Sequence, residues 1–248
     1  LDALVEDYAD EWLTKAMFHY RWAYAADAAK AAHVLPCDMN LALPPDQLAR
    51  AAQAFGDRQI GRLGVVGSNA ATGPLIEASY RRVLGILDAH VQQRPFLFGR
   101  RPGAGDFGLF GQLSQLALFD PTPAALAAEV APRVVAWVNH MDDLGAVDVG
   151  DDGWSARDTV AATVRPLCAE IGRVYAPFLV ANAAALMAGA AQVECRIDDT
   201  SWVQTPFPYQ AKCLRWLRDH YADLAAADRA FVDATLTGTG CEPLCRAS

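Results

Sequence analysis

Residues 96–113 place the strongest constraint on what this chain can fold into. Their sequence, FLFGRRPGAGDFGLFGQL, combines an apolar run, a tight turn and the beginning of a helix. Gly103 stands where a helix cap belongs, and Asp106 follows three residues later, from where its carboxylate can accept the Gly103 amide. An acid in the first turn also suits the positive end of the helix dipole. The segment predicts a helix that begins after Gly103 and is capped by Gly103 and Asp106.

The residues after Asp106 predict that this helix is central. Large apolar side chains cover most of its circumference between residues 107 and 113, and a helix of that kind is usually surrounded by others. Gly108 and Gly111 leave room for a second helix to approach closely. We therefore expect the helix to be buried in an all-α protein.

The same segment resembles the start of the buried helix in the C-terminal, all-helical domain of glutathione transferases, where the pattern is FL-G-x-x-P-[ST]-x-A-D. The chain departs from it at Gly103, where the family usually has Ser or Thr, and at Gly105, where it has Ala. Asp106 matches the pattern. The role that the resemblance implies for Asp106 is capping and folding, not chemistry, so Asp106→Ala should lower stability by about 1 kcal/mol.

Residues 2–33 predict one long helix with an aromatic-rich face and acids in its first turns, where the helix dipole favours them. Its sequence also resembles the first helix of the C-terminal domain in a bacterial group of glutathione-transferase-like proteins. In the family this helix lines the cleft between the two domains, which implies a pocket for a small electrophile. The substrate-binding residues predicted on this face are Tyr8, Trp12, Lys15, His19 and Trp22.

A second interpretation of the same face remains open. Glu11 and Lys15 are spaced i,i+4 in the favourable order, so the helix is equally compatible with a salt-bridged amphipathic surface that binds nothing.

Periodicity and breaker residues predict the rest of the chain. We expect a connecting loop at 34–45, a solvated acidic loop at 145–158 that contains Asp148, and a hairpin formed by 192–197 and 200–205. The fold class is an all-α, glutathione-transferase C-terminal-like helical bundle with a helical extension and a small β-hairpin. The predicted domains are a helical core at 1–145 and an extension at 146–248 that packs on it. Further helices are predicted at about 46–63, 72–92, 104–119, 124–144, 159–189, 209–220 and 222–236.

Charge and cysteine usage limit the possible partners. A formal charge of −8 and the lack of a Lys/Arg cluster argue against nucleic acid, and no apolar run is long enough to cross a bilayer. Six scattered cysteines without a secretory signal predict reduced thiols in the cytoplasm. The chain begins LDALVE, which we interpret as a cut end with a segment missing upstream.

Motifs for chemistry within the chain are scarce. The five histidines occur singly without an HExxH pair, so no metal site is predicted. The glycine-rich segment 64–69 lacks the phosphate-binding patterns and is expected to be a plain loop. No Gly-x-Ser-x-Gly elbow and no Cys with a His nearby in sequence supports nucleophilic catalysis, although pairing in space stays open.

The resemblance implies the function. The chain is expected to be the electrophile-binding helical domain of a glutathione transferase-like protein, a homodimer that conjugates or reduces small apolar electrophiles. Glutathione would be the co-substrate, and the residue that activates its thiol would lie on a thioredoxin-like domain that this chain lacks. One alternative is a non-catalytic helical scaffold for dimerisation or partner binding, and another is an independent small-ligand binder.

Overall fold

The computed structural model describes residues 1–145, 147 and 150–246, without the side chain of Asp151. The predicted Asp148 of the acidic loop lies outside the described residues. The all-α fold class with a small antiparallel hairpin is confirmed. The helices are α1 (Asp2–Tyr8), α2 (Thr14–Ala23), α3 (Ala25–Met39), α4 (Pro45–Ile60), α5 (Gly73–Val91), α6 (Ala104–Ser114), α7 (Pro121–Val130), α8 (Pro132–Asp142), α9 (Arg157–Met187), α10 (Pro208–Ala222), α11 (Ala226–Leu236) and α12 (Glu242–Cys245).

Short helical segments of other types join these helices. A π-helical segment at Ala9–Leu13 makes α1, the segment itself and α2 one continuous helix, called the first helix below. A second π-helical segment at Gln115–Phe119 continues α6, and 3-10 turns occupy Leu63–Val66 and Asp151–Gly153.

The hairpin is confirmed almost to the residue. Strand β1 (Val193–Ile197) pairs antiparallel with β2 (Thr200–Gln204), and the register runs from Val193 opposite Gln204 to Ile197 opposite Thr200. The turn residue Asp198 adopts a positive φ of 50°, a conformation that Asp tolerates better than most residues. Trp202 on the buried face of β2 contacts the ring of Trp12 in the first helix.

Helix α6 packs across the first helix at Gly108, as predicted, whereas the close approach predicted at Gly111 is wrong. A Cβ on Gly108 would lie 3.2 Å from the Cα of Glu6, whereas one on Gly111 would meet nothing within 4 Å. Leu109 and Leu113 are fully buried, but Phe107 is half exposed, so α6 is covered on fewer sides than predicted. The 31-residue helix α9 packs against α5, α10 and β1 and brings Val164 to Leu179 into the same core.

Three predicted boundaries are wrong. The helix predicted at 2–33 breaks at Tyr24, whose backbone is extended, and α3 then runs into the predicted loop as far as Met39. Pro36 lies in the last turn of α3, where a proline removes only one backbone hydrogen bond and its ring is buried. The helix predicted to reach 144 is divided at Ala131, because the residue before Pro132 is restricted from helical geometry.

No helix among the described residues is both long enough and sufficiently apolar to cross a membrane. The division into domains at 145/146 stays a prediction.

Candidate functional site

The five side chains predicted to bind substrate all lie on the buried side of the first helix. None is more than 5% exposed, and none lines either of the two grooves that border this helix. A substrate would reach them only if neighbouring side chains moved. Direct contact between these residues and a substrate therefore stays a prediction.

Tyr8 and Trp12 pack into a network beneath the helix. The indole Nε1 of Trp12 donates to Ser79 Oγ at 3.0 Å, and Ser79 in turn donates to Glu170 at 2.9 Å. Tyr8 contacts the ring of Tyr175 edge-on at a centroid distance of 6.1 Å. Both aromatic side chains therefore fix the first helix against α5 and α9.

Lys15 is buried without an ion pair among the described residues. Its Nζ donates to Gln204 Oε1 at 3.2 Å and lies 4.4 Å from the centre of the Phe178 ring. The prediction of a Glu11–Lys15 ion pair is wrong, because the Lys15 side chain points into the core toward the hairpin. Burial lowers the pKa of Lys15 to about 7, and the charge of Glu11 offsets this shift only partly.

His19 joins a polar cluster, whereas Trp22 faces a separate apolar one. The imidazole Nδ1 of His19 lies 2.8 Å from Ser68 Oγ, and its Nε2 lies 3.1 Å from Glu77 Oε1. Trp22 contacts Phe55 of α4 in the smaller of the two buried apolar clusters. The predicted set thus divides into parts with different surroundings.

The exposed side of the first helix faces α10 across a groove of about 210 Å³. The π-helical segment lies along this groove, and such segments often occur at functional sites. On the opposite wall Tyr209 and Trp216 form an edge-to-face pair at 5.9 Å between ring centres, and each is nearly half exposed. The remaining lining residues are Ala3, Glu6, Asp7, Asp10, Glu11, Cys213, Leu217 and His220.

Four carboxyl groups line this groove, and the pKa of each is raised above its ordinary value. Burial is the main cause that raises the pKa of Glu6, Asp10 and Glu11 above its ordinary value. The pKa of Asp7 rises to about 6, again through burial, although the Tyr175 hydroxyl donates to its Oδ2 at 2.6 Å. Clustered groups with such shifts in a cleft mark a candidate functional site.

The groove suits a flat apolar ligand better than a thiolate. Exposed aromatic rings provide stacking surface, and the acidic wall favours a neutral or positively charged ligand. The thiol of Cys213, which lines the groove, shows how these surroundings change the pKa of a thiol. Burial, together with the charges of Asp7 and Glu11, raises its pKa well above the ordinary value. A group that activates a thiol would have to lower the pKa of that thiol instead.

The helix cap at Gly103 and Asp106 involves a third residue. Asp106 Oδ2 accepts the Gly103 amide at 3.0 Å, and Oδ1 accepts the Leu97 amide at 3.0 Å. Gly103 has no side chain that could accept the next amides of the helix. Asp2 of the first helix accepts them instead, from Ala104 at 2.9 Å and from Gly105 at 2.8 Å. This cap therefore ties α6 to the beginning of the first helix.

Metal and disulfide chemistry gain no support from the described residues. Within them, no group of three or more His, Cys, Asp or Glu side chains is arranged to hold a metal ion. All six cysteines are free thiols.

Residues 45–140, from α4 to α8, match the family model described as "Glutathione S-transferase, C-terminal domain". This match supports a glutathione S-transferase C-terminal-like helical domain within residues 45–140. No curated protein and no solved structure matches the chain.

Sequence reasoning missed the outer face of the first helix. In the sequence, Asp7 and Asp10 indicate only acids that suit the helix dipole, Glu11 indicates in addition an ion pair with Lys15, and α10 is predicted only as a helix. The available signal was the pair Tyr209 and Trp216, two large aromatic residues seven positions apart and so on one helix face. Only the fold shows that this face lies opposite the acids.

Proposed function

We propose that this chain is the electrophile-binding helical domain of a glutathione transferase-like protein, and that the groove between the first helix and α10 receives the electrophile. The observation that carries the proposal is the exposed Tyr209–Trp216 pair facing the acidic side of the first helix. In this proposal the five buried residues of the first helix support the groove from behind.

The charge of the groove supports placing the electrophile and the activated thiol at different sites. Glutathione carries a net negative charge and reacts as a thiolate, and four carboxyl groups oppose both. A neutral or cationic aromatic electrophile meets no such barrier. The proposal therefore places the electrophile here and the activated thiol on another part of the protein.

The family relationship supports the remaining elements of the proposal. Glutathione as co-substrate, conjugation or reduction as the reaction, a homodimer and a cytoplasmic location are proposed from the likeness of residues 45–140 to glutathione transferases, and six free thiols suit a reducing compartment. The thiol-activating residue is expected on a thioredoxin-like domain.

Ligand binding to the groove can be measured without the chemical reaction. We would titrate the chain with 1,3-dinitrobenzene, an unreactive analogue of an aromatic electrophile, and follow tryptophan fluorescence. Binding beside Trp216 should give saturable quenching that Trp216→Leu removes. Trp154 provides a matched control, because it is 48% exposed and does not line the groove. Trp154→Leu should leave the saturable part unchanged.

Quenching that rises linearly without saturation, and equally in all three proteins, would contradict the proposal. That result would favour the non-catalytic scaffold. If binding is saturable, a turnover assay with glutathione and 1-chloro-2,4-dinitrobenzene then tests conjugation. Supplying the chain with a separately produced thioredoxin-like domain should raise the rate above that of either part alone.

A further inference from the structure

Four polar side chains meet where the first helix passes the loop before α5. His19 Nδ1 lies 2.8 Å from Ser68 Oγ, and His19 Nε2 lies 3.1 Å from Glu77 Oε1. The Tyr24 hydroxyl donates to the same Glu77 oxygen at 2.7 Å. The order hydroxyl, imidazole and carboxylate is the arrangement that activates a serine nucleophile in unrelated folds.

The hydrogen bonds of the cluster fix where the proton of a neutral imidazole lies. An ionised carboxylate only accepts, so the His19 Nε2 that faces Glu77 must carry the hydrogen. Nδ1 then presents a lone pair, and Ser68 Oγ must donate to it. His19 is thereby oriented as a base toward the serine hydroxyl.

The backbone around the cluster holds the imidazole closely. A Cβ on Gly73 would lie 3.0 Å from His19 Cε1, so only glycine at this position leaves the ring its full space. The rings of Tyr20 and Tyr24 contact the imidazole edge-on at 5.6 and 6.1 Å. The imidazole is therefore restrained by packing as well as by hydrogen bonds.

The cluster lies just below the surface. Ser68 is 4% exposed, but its neighbours Val65 and Asn69 are exposed, and the Glu77 side chain is more than a third exposed. Because Ser68 and His19 are buried, an ester would reach them only when neighbouring side chains moved, which favours a small acyl group over a large one.

We propose that Ser68 is a nucleophile toward small activated esters, with His19 as its general base and Glu77 and Tyr24 as positioning residues. Ser68 Oγ bonds to the acyl carbon while its proton passes to His19 Nδ1, and the carbonyl π electrons move onto oxygen. When that carbonyl re-forms, the alcohol or phenol leaves and takes the proton from His19. Water then cleaves the acyl–Ser68 ester by the same route and releases the carboxylic acid.

This activity is separate from the electrophile groove. None of the four residues lines that groove, and the reaction uses only water and the ester. Dinitrobenzene binding and ester cleavage are measured separately on the unaltered chain, so failure of either proposal can be recognised without the other.

The direct test uses p-nitrophenyl acetate with the full chain. We expect a burst of p-nitrophenol close to one equivalent per chain, with the acetyl group found by mass spectrometry on the peptide that contains Ser68. Ser68→Ala should abolish the burst and the adduct. Ser201→Ala is the matched control, because Ser201 is exposed on β2 and should behave like the wild type. An unchanged burst in Ser68→Ala, or acetyl groups only on other residues, would overturn the proposal.

The positioning residues are tested by a pH profile. Glu77→Gln keeps the size of the side chain but removes the charge that stabilises the imidazolium and fixes the tautomer. We expect the rate of acetylation to fall about 100-fold or more, with its limb moved to lower pH. Tyr24→Phe should cause a smaller fall. Circular dichroism must show that each variant is folded, and folded variants with the wild-type rate and profile would refute the assigned roles.

Discussion

The carboxylate of Asp2 accepts the backbone amide of Gly105 at 2.8 Å and so caps a helix that begins about a hundred residues later in the chain. A second oxygen of Asp2 accepts the Ala104 amide at 2.9 Å. Helix caps are normally supplied by the residue that precedes the helix, but Gly103 has no side chain to do this. The same contact therefore satisfies the amino end of α6 and positions the first helix.

We expect Gly105→Ala to destabilise the protein. Alanine is normally favoured over glycine inside a helix by about 1 kcal/mol. At this position, however, its Cβ would lie 2.9 Å from Asp2 Oδ1 and 3.1 Å from the Val5 Cβ, so Asp2 would have to move away from the amides it caps. We expect a net loss of about 1–2 kcal/mol in the free energy of unfolding, measured with urea.

Gly111 provides the matched control in the same helix. Its Cβ would meet nothing within 4 Å and the residue is exposed, so Gly111→Ala should be neutral or should stabilise the protein by about 0.4–1 kcal/mol. Equal effects at the two glycines would show that the contact with Asp2 contributes little.

Asp106 should make stability depend on pH. Burial raises the pKa of this carboxyl to about 7, against the hydrogen bonds from Gly103 and Leu97 that favour its charged form. A raised pKa in the folded state gives a stabilising contribution that is complete below the ordinary value of 3.8 and is lost as pH rises through about 7. Asp106→Asn removes this titration.

The variant should therefore be destabilised most near pH 4, and the difference from the wild type should shrink as pH rises toward 7.5. Urea unfolding at several pH values measures this trend. A difference that grows with pH would mean that the two amides stabilise the ionised carboxylate more than burial opposes it. Asp106→Ala should cost more than the 1 kcal/mol of a simple cap, about 2 kcal/mol or more, because it leaves two buried amides without an acceptor.

The stability of Lys15→Met relative to the wild type should increase as pH falls from 10 to 7. The lowered pKa of Lys15, about 7, means that the folded state prefers the neutral amine while the unfolded chain is protonated below 10.5. The wild type therefore loses stability as pH falls across this interval, and methionine, which has no charge, does not. The exposed Lys212 gives the control, because Lys212→Met removes the same side chain from the surface rather than from the core, and the change with pH should be larger in Lys15→Met. A difference independent of pH would show that Lys15 stays charged in the fold.

The parts of this fold that the sequence predicted are those set by local interactions. The hairpin followed from alternation around Asp198–Asp199, and the beginning of α6 followed from the spacing of Gly103 and Asp106. The break at Tyr24 was missed because neither glycine nor proline marks it. There the Tyr24 hydroxyl bonds Glu77 of α5, a contact between residues far apart in sequence.

The candidate sites could not be predicted for the same reason. The groove depends on α10 packing beside residues 3–11, and the Ser68–His19–Glu77 cluster joins residues on three separate segments. The aromatic face of the first helix was correctly seen as one side of a helix, but amphipathic spacing does not distinguish a side that faces a cleft from one that faces the core. Here that side faces the core.

The half-buried Arg82 forms an ion pair with the buried Glu170, and removing Arg82 alone should cost more stability than removing both side chains. Arg82 donates to both oxygens of Glu170, at 2.6 and 2.8 Å, and Glu170 also accepts from Ser79. Because the Glu170 side chain is 3% exposed, Arg82→Met would leave a buried carboxylate without its counter-charge. We expect a loss of about 3–5 kcal/mol in the free energy of unfolding.

Replacing both partners should restore part of that loss, because the double variant Arg82→Met/Glu170→Met buries no charge. The exposed pair Arg50–Asp46 is the control, with both side chains about two thirds exposed, and Arg50→Met should change stability by about 0.5 kcal/mol or less. If Arg82→Met cost no more than Arg50→Met, the Arg82–Glu170 ion pair would contribute no more to stability than an exposed one. The Trp12–Ser79–Glu170 hydrogen bonds would then hold the first helix without help from Arg82.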